Sequence, residues 1–323
     1  MKKLFISMLA VAALVSCSKE QTIVADQGEL IGFNSFVENS TRATDLTYGG
    51  TDDLEAFNLY GTVTGTNGVI NIYNGCVVTG EVGDDVWSCP VNQYWIKDAV
   101  YDFAAVVDAT VAKDQNSPYM PITLTTVAND DMNFADMLYA QKLDYTALAT
   151  NPTVAFAFEH LLSKAMFTVK STTQDGYYYS VKNINVNNFE SGTYTIAYVD
   201  TNTDGKDDGS WVGNVAKDIP FGNVENVRST DANGKTCATQ KLLVPTTEDF
   251  TVSCTIELWN DNGDADDVKL GTETKTFTVS QDLIKGNSYN FTLTLSVGQK
   301  IEFTVTSDPS WNPAEGGSNV TLQ

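Results

Sequence analysis

Apolar and polar residues alternate with a period of two along most of this chain. Successive side chains of a β-strand point to opposite faces of a sheet, so the alternation predicts strands with one buried face. Thr and Ser occupy many of the outward positions, which suits half-buried sheets. The clearest segments are 101–103, 154–158, 166–169, 194–198, 252–258, 277–279, 291–297 and 301–305.

Three dipeptides that are typical of tight turns interrupt these segments. Asn67-Gly68 and Asn74-Gly75 flank the apolar segment 69–73, and Gly298-Gln299 separates two alternating segments. The turns of two-residue hairpins need a positive φ, which Gly and Asn adopt readily. Each dipeptide therefore predicts a hairpin.

Helical periodicity is weak throughout the chain. The best helical candidate is 131–148, where apolar residues recur at 132, 135, 137, 138 and 139. Many short strands separated by turns are typical of β-sandwiches. A length of 323 residues allows two domains.

We therefore expect an all-β chain with two β-sandwich domains, residues 43–150 and 151–323. The boundary is placed at Ala149-Thr150-Asn151-Pro152, because the residue before a proline favours an extended break.

The N-terminus has the order of an export signal. Lys2 and Lys3 precede an apolar run at 4–15, and Leu14-Val15-Ser16-Cys17 follows the pattern of a bacterial lipobox. The run is shorter than the roughly 20 residues that a membrane-spanning helix needs. We expect residues 1–16 to be a signal peptide and Cys17 to be the acylated first residue. The alternative is an ordinary signal that happens to contain a cysteine.

The segment 17–42 then carries a strand and a candidate cleavage site. Glu29–Val37 contains five apolar residues, Leu30, Ile31, Phe33, Phe36 and Val37. Burial of all five would contribute roughly 7–15 kcal/mol as an upper bound. Ser40-Thr41-Arg42-Ala43-Thr44 is small and polar, as exposed loops that proteases cut often are. Cleavage between Arg42 and Ala43 would free the strand. The alternative is a tether that carries one edge strand.

The charge of the chain excludes some partners. Its net charge is −22, and removal of the two lysines in residues 1–16 changes this to −24. Such a surface repels nucleic-acid phosphates, so no nucleic-acid partner is expected. It also repels anionic lipids, so membrane attachment depends on the acyl chains, of which stable anchoring needs more than one.

Four cysteines remain after Cys17. Export favours an oxidising route, and the spacing suggests the disulfides Cys76–Cys89 and Cys237–Cys254. Four free buried thiols are the alternative.

The sequence offers little catalytic chemistry. His160 is the one histidine of the chain, and it is flanked by the apolar residues Phe158, Leu161 and Leu162. A structural histidine fits this setting better than a catalytic base. Nucleotide-binding and hydrolase motifs are absent from the sequence. We expect no enzymatic activity and no bound cofactor other than, in one interpretation, calcium.

The calcium interpretation comes from one acidic segment. Asp200, Asn202, Asp204 and Asp208 occupy positions 1, 3, 5 and 9 of a loop with Gly205 at position 6, as in an EF-hand. The twelfth position is Trp211, where that loop needs a bidentate glutamate. An acidic hairpin tip between two strands is the alternative, and we favour it.

Several short motifs, in this order along nearly the whole mature chain, resemble those of the fimbrillins of Bacteroidetes, a family of lipoprotein pilins and fimbrillin-like surface proteins. They are the lipobox at 14–17, Ile31-Gly32-Phe33, Thr41-Arg42-Ala43, Trp87, Tyr94-Trp95, and the segments 101–105, 136–140, 156–164 and 301–305 with Trp311.

The resemblance implies two transthyretin-like sandwiches and a lipoprotein of the outer membrane. In polymerising members an arginine-specific protease cuts at a site that matches Arg42-Ala43. The first strand then leaves, and a strand from the C-terminal end of another fimbrial subunit replaces it. In this chain Val320 and Leu322 are the apolar residues of a short tail, which suits a tip or accessory subunit. The alternative function is a monomeric surface lipoprotein that binds a glycan or host ligand and keeps its first strand.

Overall fold

The computed structural model describes residues 29–37, 54–65, 68–80, 87–113, 120–146, 153–199, 207–262, 267–308 and 319–322. Within these ranges every regular element is a strand, which confirms the all-β prediction. None of the described residues belongs to a helix with the length and hydropathy needed to cross a bilayer.

The first sheet has six strands in the order β1-β8-β7-β4-β2-β3. Its strands are β1 (Gly32–Val37), β2 (Ala56–Gly65), β3 (Gly68–Thr79), β4 (Val100–Val107), β7 (Leu138–Thr146) and β8 (Thr153–His160). β1 is parallel to β8, and the other pairs are antiparallel.

Residues 87–95, here named the closing segment, join the two edges of this sheet. Ser88 and Thr79 of β3 exchange two backbone hydrogen bonds, of 2.7 and 3.0 Å. Trp87 and Tyr94 bridge to Phe33 and Leu30 at the opposite edge. The sheet and the closing segment therefore enclose the first core as a barrel does.

Both faces of the first sheet contribute side chains to a core. One face supplies Phe57 of β2, Phe103 of β4 and Phe156 of β8 to the enclosed core. The other face supplies Tyr60, Val106 and Tyr139 to a second core, which lies against the next sheet. This burial on both sides explains the apolar run in β4.

The second sheet combines strands from both halves of the chain. Its order is β12-β11-β6-β5, with β5 (Thr110–Lys113), β6 (Pro121–Val127), β11 (Ser191–Thr195) and β12 (Ser210–Gly213). β8 and β11 follow residue 150 in the chain, yet they pair with strands that precede it. Residues 149–152 themselves lie outside the described ranges. The first sheet thus continues across the expected domain boundary.

The remaining strands form two sheets around a third core. One has the order β13-β10-β16-β17, and the other has β14-β9-β18-β19-β20 with β15 on β9. Their bounds are β9 (Ser163–Ser171), β10 (Tyr177–Phe189), β13 (Ala216–Val227), β14 (Lys235–Thr236), β15 (Lys241–Leu243), β16 (Phe250–Asn260), β17 (Val268–Val279), β18 (Ser288–Leu295), β19 (Glu302–Asp308) and β20 (Asn319–Leu322). The core between them contains Val181, Ile256, Phe291 and Phe303. The transthyretin-like assignment of the two domains stays a prediction.

Two local predictions are wrong. The helical candidate 131–148 contains β7, whose first four residues are all buried because both sheet faces are covered. Asn74-Gly75 lies inside β3, where the pairing of β2 shifts between Leu59 and Tyr60. Gly75 has a φ of 74°, so the dipeptide forms a β-bulge there. The hairpin around Gly298 is confirmed, since β18 and β19 pair antiparallel across it.

Candidate functional site

The N-terminal strand β1 is bound along both of its edges. On one edge its residues pair in parallel with β8, from Gly32 opposite Thr153 to Val37 opposite Phe158. Hydrogen bonds in such a pair are slanted and slightly weaker per residue than those of an antiparallel pair. The strand therefore completes the sheet through a comparatively weak pairing.

On its other edge the strand contacts the closing segment. The Ile31 amide donates to the carbonyl of Gln93 at 2.9 Å, and the Trp87 amide donates to the carbonyl of Phe33 at 2.9 Å. The Trp95 amide donates to the carbonyl of Glu29 at 3.0 Å. Removal of the strand would leave a groove with β8 as one wall and the closing segment as the other.

Phe33 occupies the centre of that groove with no exposed surface. Its ring meets Tyr73 edge-on at 5.5 Å between centroids, and lies 6.1 Å from both Phe103 and Phe156. Ile31 is 4% exposed in the same core. These two side chains contribute about 1.5–3 kcal/mol each through burial.

Of the other three apolar residues of the predicted strand, Leu30 is the one whose side chain is described. Leu30 is 47% exposed and adds little to the burial. Phe36 and Val37 belong to β1, opposite Ala157 and Phe158, but their side chains lie outside the description. The described part of the strand thus supports about 3–6 kcal/mol of apolar burial, which is less than the upper bound from five residues.

The predicted processing residues cannot be placed. Cys17, Arg42 and Ala43 lie outside the described residues. The chemistry expected of them stays a prediction from the sequence.

The acidic loop is described at one end only, since Asp200, Asn202 and Asp204 lie outside the described ranges. Asp208 is exposed, and its amide donates to the carbonyl of Val199 at 3.0 Å. Within the described ranges, no group of three or more potential metal ligands comes together. Calcium binding stays a prediction.

Sequence reasoning missed Asp207, which is 1% exposed. Its carboxylate accepts hydrogen bonds from the amides of Ala197, Tyr198 and Gly209 at 2.7–3.1 Å. The hydroxyl of Tyr194 also donates to it, at 2.9 Å. Asp207 holds the residues before β12 against the end of β11. In the sequence it lies among other acidic residues, so nothing there indicates that it is buried.

The two predicted cysteine pairs differ in their surroundings. The Sγ atoms of Cys76 and Cys89 are 3.3 Å apart and half-buried. Cys237 and Cys254 are buried in the third core, and burial raises their pKa values to about 11 and about 12. All four are free thiols in this structure.

His160 lies at the end of β8 with 2% exposure. Its Nδ1 is 2.9 Å from a carboxylate oxygen of Asp136. This contact ties the end of β8 to the segment before β7, which is a structural role.

The C-terminal strand β20 pairs antiparallel with β19, with Val320 opposite Val305 and Leu322 opposite Phe303. It therefore forms the edge of its own sheet.

Comparisons with known proteins identify what this architecture is similar to. The chain resembles the crystal structure of a fimbrial protein from Bacteroides vulgatus, with a TM-score of 0.64 and 16% identity over 86% of this chain and 98% of that one. A fimbrial assembly protein from Parabacteroides distasonis matches with a TM-score of 0.45 and 13% identity over 92% and 99%. No curated protein matches the chain.

The model of one protein family, described as fimbrillin-like, matches residues 41–309. That range includes every strand except β1 and β20. The chain belongs to the fimbrillin-like family.

Proposed function

We propose that this protein is a subunit of a cell-surface fimbrium that polymerises by strand exchange. In this proposal Cys17 is acylated and anchors the precursor in the outer membrane, and a protease cuts after Arg42. A strand from another subunit then replaces β1. The observation that carries the proposal is β1 itself, a strand outside the matched family range whose Phe33 fills the first core.

Loss of β1 would leave an unsatisfied groove. The Trp87 and Trp95 amides and the edge of β8 would lose their partners, and the site of Phe33 would open to water. A strand that adds to an open sheet edge restores main-chain hydrogen bonds, and its side chains fill the pockets. The cut subunit thus gains stability by accepting another strand.

The arginines of the chain favour a single cleavage event. There are two, Arg42 and Arg228. The Nε of Arg228 donates to Asp261 at 2.7 Å, its guanidinium lies over the ring of Tyr178, and its amide donates to Asp231. Cleavage needs a segment that can extend into a protease, so these contacts protect the bond after Arg228.

This chain is less suited to donate a strand to another subunit than to accept one. β20 has four residues, whereas β1 has six. β20 also occupies the edge of β19, so donation requires it to leave that edge first. This favours a position at the tip or in an accessory role, where a subunit accepts a strand without giving one.

The test uses the purified soluble chain, starting after residue 17, and an arginine-specific protease. We expect one new N-terminus at Ala43, release of the peptide that contains β1, and association of the trimmed chain with a partner subunit that has a free donor strand. Arg42→Ala should abolish the cut, and Arg228→Lys should leave it unchanged.

A trimmed chain that keeps its β1 peptide and stays monomeric beside a donor would contradict the proposal. On cells, the same proposal requires a membrane-bound precursor whose first residue is acylated Cys17 and a fimbrial form that begins at Ala43. An N-terminus at Cys17 in the fimbrial form would also contradict it.

A ligand-binding function is the second candidate because the second half contains a cavity. The cavity has a volume of about 300 Å³ and opens between β16, β17 and the β18–β19 turn. Its lining mixes apolar and polar side chains, among them Tyr179, Leu258, Glu273 and Gln299. Such a lining suits a small glycan of a host or neighbouring cell. Unchanged glycan binding after a Tyr179→Ala substitution would exclude this cavity as the site.

A further inference from the structure

We propose that Cys76 and Cys89 form a disulfide in the exported protein, and that this bond fastens the closing segment to β3. The role of this bond in strand exchange rests on the proposed function, because the closing segment is one wall of the groove that holds β1. Formation of the bond itself can be tested independently of that function.

The geometry already brings the two thiols together. Their Sγ atoms are 3.3 Å apart, whereas a disulfide bond is about 2.0 Å long, so a shift of about 1 Å closes the gap. Cys76 lies in β3, and Cys89 follows Ser88, whose backbone pairs with Thr79 of the same strand. The pairing of Ser88 with Thr79 thus keeps Cys89 beside the strand that carries Cys76. Both thiols are half-buried, which leaves them within reach of an oxidant.

The oxidant is a second disulfide, such as that of an envelope thiol oxidase. The Cys76 thiolate attacks one of its sulfurs, and the other leaves as a thiolate that takes up the proton lost by Cys76. Cys89 then loses its proton and attacks Cys76 Sγ, and the second oxidant sulfur leaves. Two protein thiols become one disulfide, and the oxidant disulfide becomes two thiols. Burial raises the pKa of the Cys89 thiol to about 12, which lowers the fraction of thiolate at this residue.

The position of this bond gives it a role in strand exchange. With β1 present, the closing segment is bound to β1 and to β3. Departure of β1 removes the backbone hydrogen bonds between the closing segment and Glu29, Ile31 and Phe33. Of the described backbone hydrogen bonds from this segment to the sheet, the two between Ser88 and Thr79 remain. The disulfide lies beside that link and keeps the wall in place. The open groove is then preformed for the incoming strand, which lowers the ordering cost of capture.

The first experiment maps disulfides in the protein purified from the cell envelope under alkylating, non-reducing conditions. We expect a peptide that links Cys76 to Cys89 and has a mass about 2 Da below that of the two thiols. Alkylation of both cysteines without prior reduction would overturn the assignment.

The second experiment measures amide hydrogen exchange after Arg-specific removal of β1. We expect Ser88 and Thr79 to exchange at least tenfold faster in a Cys76→Ala/Cys89→Ala variant than in the oxidised wild type. The variant should also melt about 4 °C lower, because the bond between Cys76 and Cys89 closes a loop of about 14 residues. Cys237→Ala removes a thiol elsewhere in the molecule and should leave the exchange of both amides unchanged.

Equal exchange in the variant and the oxidised wild type would overturn the fastening role. Polymerisation of the trimmed wild type is measured separately. A linked Cys76–Cys89 peptide in a chain that never captures a strand would refute the proposed function and leave the disulfide standing.

Discussion

Phe33 shows how one side chain can set the strength with which a strand is held. It is fully buried against three aromatic rings, whereas the neighbouring Leu30 is 47% exposed. Strand pairing alone gives β1 many weak hydrogen bonds. In the proposed exchange, an incoming strand would have to reproduce the contacts of this ring.

We expect Phe33→Ala to destabilise the intact protein by about 3–5 kcal/mol, because it leaves a large cavity in the first core. Leu30→Ala should cost less than about 0.5 kcal/mol. Urea denaturation at pH 7 measures both. After the β1 peptide has been removed, the Phe33 variant and the wild type should be equally stable, and a persisting difference would place the effect elsewhere.

Glu257 gives a residue-scale prediction about pH. The hydrogen bond from Lys269, at 2.9 Å, is the main cause that lowers the pKa of this carboxyl below its ordinary 4.5, and Lys182 adds to it at 3.2 Å. A carboxyl with a lowered folded pKa stabilises the protein above its unfolded pKa, and loses this contribution as the pH falls through the folded value.

We expect Glu257→Gln to cost about 1 kcal/mol at pH 7, since both lysines are partly exposed and solvent screens the pairs. The difference from the wild type should shrink as the pH falls below 4.5 in thermal melts. Glu302→Gln, at an exposed residue of β19, is the matched control for the melts. A constant difference from pH 7 to pH 3 would disprove the linkage.

At the scale of elements, alternation predicts strands well where one face is buried. The segment 252–258 lies within β16, and its burial alternates with its sequence from Val252 to Ile256. The alternation signal fails in β7, where Leu138, Tyr139 and Ala140 are buried in succession between two cores. When a strand is covered on both faces, its apolar residues no longer alternate with polar ones. The sequence of β7 therefore resembles that of a short helix.

The closing segment had no strand signal at all. Its apolar residues do not alternate with polar ones, and it meets the sheet through isolated bridges at Trp87, Ser88 and Tyr94 rather than through a ladder. Its role depends on where β1 and β3 come to lie, which is a long-range property. The candidate strand and the cysteine pair could be predicted from the sequence, but the closing segment that lies between β1 and β3 could not.

At the scale of the whole molecule, a buried ion network joins the first two sheets to the sheets around the third core. Lys285, from the turn before β18, donates to Glu159 of β8 at 2.8 Å and to the hydroxyl of Tyr194 in β11 at 3.1 Å. It also donates to the carbonyl of Asp207 at 2.6 Å. Glu159 is 3% exposed, so its ion pair with Lys285 lies in a largely buried site.

We expect Lys285→Met to cost about 3 kcal/mol, because the buried carboxylate of Glu159 loses its counter-charge. Lys217→Met is the matched control. Its ion pair with Glu190 is 3.5 Å long and largely exposed, so it should cost under about 1 kcal/mol. Urea denaturation measures both, and equal small effects would show that the network does not stabilise the junction.

The parallel pairing of β1 with β8 has a consequence for the order of biogenesis. Phe33 lies opposite Val154, about 120 residues later in the chain. Of the described strands, β1 is synthesised first, yet its pairing partner β8 is complete only after about 120 more residues have been made. In the proposed function, β1 would close the sheet of each subunit as soon as the edge of β8 has formed, and assembly would wait until β1 is removed.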